Sequence, residues 1–406
     1  MPLFFYIFRA WPYILHPQLF AEDGHDWLAN AHNNPLGTFL TPYAGSLHTF
    51  ERVWSILINL FPLTLSPILY NLTAFVIFSI LVIYLFSERT KLFKSNYQKV
   101  FVSMCLCLMV NVQDFYFNFS NSIFLLGIVG ALVIISNRPK KLVINIFEKI
   151  IYLLMCFTLP FAWIYLLILI TKRIVDKSKN NFFLFFATLG SIAQLMVHIF
   201  YNNRPDTLSP LTLGSRFALL VMYNQVLVPA FRFSRFDLSA SNAARISGGL
   251  TLLLACIATA CLVILALYKS TKNMKYFLIF LIAMAFGAIS NPQITANTAR
   301  EGYILLANTV GGSRYWIFGI LIIFTSLSVV SEEVIKRKYK YYFLIIFFSF
   351  SLLTSIMNNN FFIDKHFIDY SSIYSDKIKQ VKYKGPPLKI PENPGAPNWV
   401  ITLNRK

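Results

Sequence analysis

Residues 68–86 read ILYNLTAFVIFSILVIYLF, and residues 87–94, which follow directly, read SERTKLFK. The first run is close to the roughly 20 apolar residues that an α-helix needs to cross the hydrocarbon of a bilayer. The second run carries Arg89, Lys91 and Lys94, and such residues are typical of loops on the cytoplasmic side. The two runs together predict a membrane-crossing helix whose C-terminal end faces the cytoplasm.

The composition of the whole chain favours the same class of protein. Of the 406 residues, 56% are hydrophobic and only 13% are charged, whereas a soluble chain would carry roughly a quarter charged residues. The formal net charge of +19 sits in short clusters between apolar blocks, while nucleic-acid binding requires a continuous basic face. The sequence therefore predicts an integral membrane protein that has no nucleic-acid partner.

Apolar blocks of similar length recur along the chain. The first, 2–15, is short and carries Arg9, and we interpret it as an uncleaved first span. The block 53–67 contains Pro62 and Pro67, which predicts an interfacial or re-entrant segment. The later blocks are 68–86, 100–112, 122–135, 142–159, 161–170, 182–200, 248–267, 276–290, 315–330 and 341–357. This pattern predicts an all-α polytopic membrane protein with about eleven transmembrane helices within residues 1–357.

The linkers between these blocks alternate in charge. Lys and Arg concentrate in every second linker, around 89–99, 138–141, 172–179, 269–275 and 336–340. The positive-inside rule places these linkers in the cytoplasm. The other set then lies outside: 16–52, 113–121, 201–247, 291–314 and the tail 358–406. We therefore expect a bacterial inner-membrane protein with a short periplasmic tail. The prolines of that tail predict an extended segment laid over the outer face, with Trp399 as an anchor.

The first outer loop, 16–52, is unusually rich in side chains that carry chemistry. It holds four acids, four histidines, several aromatic residues and an arginine; those that we select as site candidates are Glu22, Asp23, His25, Asp26, Tyr43, His48 and Arg52. Aromatic rings stack on the apolar faces of sugars, carboxylates bind sugar hydroxyls, and a carboxylate can act as a general base. A sugar site and a solvated loop are both compatible with this composition.

Two further features of the outer side remain open from the residues alone. Glu22, Asp23, His25 and Asp26 could supply ligands to a divalent metal ion, although their spacing matches no zinc motif. Arg204 lies in a long outer linker, and Arg314 and Tyr315 lie where an outer loop enters a span. An arginine at that depth either pairs with a phosphate or anchors the chain at the membrane interface.

Several of these residues carry a resemblance to a known family. The stretch with Glu22-Asp23-Gly24, followed by Pro42-Tyr43, His48 and Arg52, resembles bacterial multi-span glycosyltransferases that include the phage-encoded serotype-converting O-antigen glucosyltransferases. Ser313-Arg314-Tyr315 and the tail from Ile390 to Leu403 are similar to the same family. The resemblance implies a GT-C type fold. It also implies transfer of one sugar, such as glucose from undecaprenyl phosphate, to O-antigen or a related lipopolysaccharide glycan on the periplasmic side.

The resemblance also assigns tasks to individual residues. It implies that Asp23 is the general base, with Glu22 as the second choice, and that the reaction is a single displacement that inverts the anomeric carbon. Arg314, with Arg204 or Arg52, would pair with the departing phosphate, and the substrate-binding set is Asp26, His25, Tyr43, His48, Arg52, Arg204, Arg314 and Tyr315. Some members of this fold use a divalent ion such as Mg or Mn and others do not, so metal dependence stays open.

Two other classes of function compete with the transferase. A polysaccharide polymerase also has about a dozen spans and outer arginines. A non-enzymatic flippase or transporter for lipid-linked sugars would need a polar pathway through the spans. No carboxylate falls clearly in the middle of an apolar block, which weighs against coupled transport.

Overall fold

The computed structural model describes residues 2–39, 41–43, 45–108, 117–178, 180–201, 250–290, 316–357, 369–393 and 399–405. Arg204, Arg314 and Tyr315 lie outside the described residues. The described chain is mostly helical. Its helices are α1 (Pro2–Arg9), α2 (Trp11–Leu15), α3 (Ala29–Asn33), α4 (Pro35–Thr38), α5 (Thr49–Ile58), α6 (Ser66–Phe86), α7 (Asn96–Leu108), α8 (Phe119–Ile135), α9 (Leu142–Cys156), α10 (Phe161–Asp176), α11 (Asn181–Phe200), α12 (Leu250–Lys269), α13 (Lys272–Ser290), α14 (Trp316–Val334), α15 (Lys340–Met357) and α16 (Ser371–Ile378).

Within the described residues, three helical segments are long and apolar enough to cross a membrane: Leu63–Phe86, Asn181–Phe200 and Ile317–Val334. Phe119–Ile135 and Cys256–Lys269 are apolar but shorter. Every predicted block from residue 68 onward contains a helix, because long apolar runs bury well only when their backbone groups are bonded within the segment. The expected number of about eleven spans remains a prediction.

The predicted first span is not one continuous helix. The chain forms α1, then a break at Ala10, then α2, which begins with Pro12 in its first turn. Proline is tolerated there because the first amides of a helix have no partner within it. Arg9 is fully buried, and its guanidinium donates to the Cys107 carbonyl of α7 at 2.9 Å. This bond stabilises a charge that would otherwise be costly in an apolar interior.

Helix α8 is the centre of the described core. It is buried along its whole length and packs against α6, α9, α10 and α13. Gly127 and Gly130 of α8 leave room for the rings of Phe161 and Tyr165 on α10, which a Cβ atom at either glycine would overlap. The N-terminal end of α8 therefore provides a fixed support for the segments that lie over it.

The tail forms a folded unit against the first outer loop. Strands β1 (Leu388–Pro391) and β2 (Val400–Leu403) pair antiparallel, with Ile390 opposite Ile401 and both side chains fully buried. Asn33 joins this hairpin to the loop through bonds to the Thr402 carbonyl at 2.9 Å and the Asn404 amide at 2.8 Å. The tail is thus a β-hairpin and a short helix rather than a purely extended segment, and it lies on the same side as loop 16–52.

Candidate functional site

The acidic stretch of the first outer loop forms a short helix, and the tail bonds to the residues just before it. Residues Asp23–Leu28 form a π-helix that continues into α3. Just before it, Ala21 takes a left-handed conformation with φ of 51°, and its amide donates to the Asn393 carbonyl at 2.6 Å. A left-handed alanine is strained by roughly 1 kcal/mol or more. The bond to the tail stabilises that conformation and so fixes the direction in which Asp23 enters the core.

Asp23 is fully buried against the N-terminus of α8. One carboxylate oxygen accepts from the Ser120 amide at 2.8 Å and from the Ser120 hydroxyl, and the other accepts from the Phe119 amide at 3.2 Å. The first amides of a helix lack partners within it and carry partial positive charge, so a carboxylate is well placed there. Burial raises the pKa of Asp23 to about 7, although these hydrogen bonds work in the opposite direction.

Trp27 connects this carboxylate to a wall of aromatic rings. Its indole N–H donates to the Ser120 hydroxyl at 2.8 Å. Its ring centroid lies 5.1 Å from Tyr43 and 5.2 Å from His48, and the Arg52 guanidinium carbon lies 5.5 Å above the same ring. Rings of this kind offer flat apolar surface beside polar edges. We refer to Trp27, Tyr43 and His48 as the aromatic wall.

His48 is held at the start of α5 by contacts from two directions. His48 occupies the N-cap position of α5. Its backbone also forms an isolated bridge with Thr158, in the turn between α9 and α10. The Thr158 hydroxyl accepts from the Phe50 amide at 2.9 Å. His48 Nδ1 lies 2.5 Å from Glu51 Oε1, and the two side chains are 3% and 0% exposed. The pair is therefore rigid and shielded from water.

Polar atoms of this region that have no hydrogen-bond partner among the described residues include His48 Nε2, Glu51 Oε2 and the Nε of Arg52. Buried groups of this kind are uncommon in native proteins and call for a bound water or ligand. Burial also lowers the pKa of Arg52, while the nearby Glu51 and Asp26 raise it. Glu51 is one of the acids of the loop, and its position three residues after His48, on one helical turn, is the sequence signal for this pairing.

The tail adds a carboxylate that the sequence could not connect with the loop. Glu392 is 2% exposed, and a Cβ atom on Gly24 would overlap its carboxylate oxygen. Burial, together with the charges of Asp23 and Asp26, raises the pKa of Glu392 well above its ordinary value. A carboxyl group that is buried beside other acids does not ionise readily.

The other predicted residues occupy the rim of this cluster. Glu22 is partly exposed, and His25 is about half exposed, with its Nδ1 3.3 Å from Asp26 Oδ1. Burial raises the pKa of Asp26, and hydrogen bonds from His25 and Tyr43 oppose that shift. The structure therefore brings Asp23, Asp26 and the wall together, and leaves Glu22 and His25 at the edge.

The described residues offer no set of three or more His, Cys, Asp and Glu side chains arranged to hold a metal ion. Both oxygens of Asp23 are already bonded to α8, which leaves them poorly placed as ligands. In this arrangement Glu22, Asp23, His25 and Asp26 do not form a metal site.

Comparison of the chain with protein-family models, with curated proteins and with solved structures finds no match. Any function must therefore follow from the chemistry of the loop, the wall and the tail.

Proposed function

We propose that this protein is a membrane-bound glycosyltransferase that moves one sugar, glucose, from a polyprenyl-phosphate carrier to O-antigen or a related surface glycan. The observation that carries the proposal is the aromatic wall beside buried carboxylates at the N-terminal end of α8. Flat rings next to hydrogen-bonding oxygens suit a sugar, which has apolar faces and a hydroxylated rim.

The reaction that fits such a site is a single displacement. The acceptor hydroxyl oxygen attacks the anomeric carbon, the bond to the phosphate oxygen breaks, and the configuration at that carbon inverts. The departing phosphate is a weak base, so no general acid is required, in contrast to hydrolases that flank the bond with two carboxyl groups. One group must still take the proton of the acceptor hydroxyl.

Membrane location is part of the same proposal. The three helical segments that could cross a bilayer support it, as does the alternation of basic linkers along the chain. We propose about eleven spans in a bacterial inner membrane, with loop 16–52 and the tail in the periplasm. Arg204 and Arg314 are proposed to pair with the donor phosphate.

Transfer by the purified protein tests the proposal directly. The protein in lipid nanodiscs is incubated with radiolabelled undecaprenyl-phosphate glucose and lipopolysaccharide, and we expect label in the glycan. Asp23→Asn is expected to abolish transfer, because an amide cannot accept hydrogen bonds from Phe119 and Ser120 with both of its polar atoms. Label that crosses the bilayer without a new glycosidic bond would establish a flippase, and joined oligosaccharides would establish a polymerase; either result would overturn the proposal.

A further inference from the structure

The pairing of His48 with Glu51 has the form of a carboxylate-oriented base. An ionised carboxylate has no proton to donate, so the N–H of His48 Nδ1 donates to Glu51 Oε1, and Nε2 of the neutral imidazole carries the lone pair. That Nε2 atom is buried and has no partner among the described residues. Leaving a buried acceptor unbonded costs about 1–3 kcal/mol, a cost that a donor hydroxyl of a ligand would remove.

Asp23 is poorly arranged for the same task. Its two oxygens receive three hydrogen bonds from the first residues of α8, and its side chain is fully enclosed. To accept a proton from a substrate it would first have to give up part of this anchoring. His48 Nε2 is also buried, but it has no hydrogen bond to give up, and it lies in the aromatic wall beside Trp27 and Tyr43.

We infer that His48, and not Asp23, accepts the proton of the acceptor hydroxyl, and that Glu51 is its positioning residue; this rests on the proposed function. As the acceptor oxygen bonds to the anomeric carbon, its proton passes to Nε2. The carbon–oxygen bond to phosphate breaks, and that electron pair leaves with the phosphate. Glu51 stabilises the imidazolium until Nε2 returns the proton to water, in the manner of an oriented histidine base.

The charges around the wall indicate which substrate it holds. Among the described side chains next to it, Arg52 is the cation, whereas Asp23, Asp26, Glu51 and Glu392 are carboxyl groups. One cation among several acids provides no concentration of positive charge to hold a phosphate, and such a region suits a neutral hydroxylated molecule. The wall is therefore assigned to the acceptor sugar, and the phosphate of the donor lies away from it.

Chemical rescue distinguishes a base from a structural histidine. We expect His48→Ala and His48→Gln to lower kcat about 10²- to 10⁴-fold with little change in the KM for undecaprenyl-phosphate glucose. Added imidazole should restore part of the activity of His48→Ala, since the small molecule can occupy the vacated space. Glu51→Gln should lose a smaller part of kcat, because its side chain can still accept from Nδ1 but carries no charge. His32→Gln is the matched control; His32 lies in the same loop and bonds to the Asn404 carbonyl at the surface.

The outcomes separate this inference from the function on which it rests. Wild-type kcat in His48→Gln would overturn the assignment of the base to His48 and leave the transferase standing. Loss in His48→Ala that imidazole does not relieve, with full activity in Glu51→Gln, would make His48 structural and overturn the inference. Absence of transfer by the wild-type protein would overturn the proposed function, and the base assignment with it.

Discussion

Replacing Gly24 by alanine should loosen the tail from the first outer loop. The added Cβ would overlap a Glu392 carboxylate oxygen and lie 2.6 and 2.7 Å from the Cγ1 and Cδ1 atoms of Ile401. Ile401 is fully buried in β2, so neither neighbour can move far without shifting the hairpin. Overpacking of this kind costs about 1–3 kcal/mol. An offsetting gain of about 0.5–1 kcal/mol comes from replacing glycine within a helix.

The difference is a net cost of up to about 2.5 kcal/mol, and its middle value of about 1.2 kcal/mol shifts the opening equilibrium about 8-fold. Hydrogen exchange of the hairpin amides, followed by mass spectrometry, measures this shift, because amides paired between β1 and β2 exchange only after local opening. Gly287→Ala is the matched control: no atom lies within 4 Å of a Cβ there, and hairpin exchange should equal that of the wild type. Unchanged exchange in Gly24→Ala would refute the packing of Glu392 and Ile401 on Gly24.

Two further perturbations test the anchoring of Asp23. Because its raised pKa means that the folded state holds a proton that the unfolded chain has released, we expect stability to fall as the pH rises from about 4 to about 7. The apparent Tm should fall across this pH window, and the fall should be smaller in Asp23→Asn than in the wild type. A Tm that rises with pH would contradict the raised pKa of Asp23. Trp27→Phe removes the donor to Ser120 but keeps a ring, and should lower the free energy of unfolding by about 1 kcal/mol. A Tm equal to that of the wild type would show that this bond contributes nothing to stability.

The helices from residue 68 onward could be located from the sequence because hydropathy is a local property. Block 68–86 predicted α6 to within two residues at its start. The first block was harder, since Pro12 and Arg9 interrupt it, and only the structure shows that Arg9 is bonded to the distant Cys107 carbonyl. Local patterns define where apolar helices lie, but they do not define which buried polar group finds which partner.

The candidate site was predictable in part for the same reason. Crowding of acids, imidazoles and rings in 16–52 identified the loop, and the structure brings Asp23, Asp26, Tyr43, His48 and Arg52 close to Trp27. The sequence does not predict that Glu392 belongs to the site. Glu392 lies near the C-terminal end of the chain, and only the folded hairpin brings it to loop 16–52. The hydrogen bonds of Asp23 and His48 likewise depend on the positions of Ser120 and Glu51, which composition does not define.

Anchoring a loop and accepting a proton place opposite demands on a side chain. An anchor is most effective when both of its oxygens are bonded, as those of Asp23 are to the amides of Phe119 and Ser120. A base needs one lone pair that is held in place yet unbonded, as for His48 Nε2. The acids that surround the wall also leave it without the concentration of positive charge that holds a phosphate. If the proposed transferase is correct, the acceptor and the donor phosphate approach from different sides, which is the arrangement that an inverting single displacement requires.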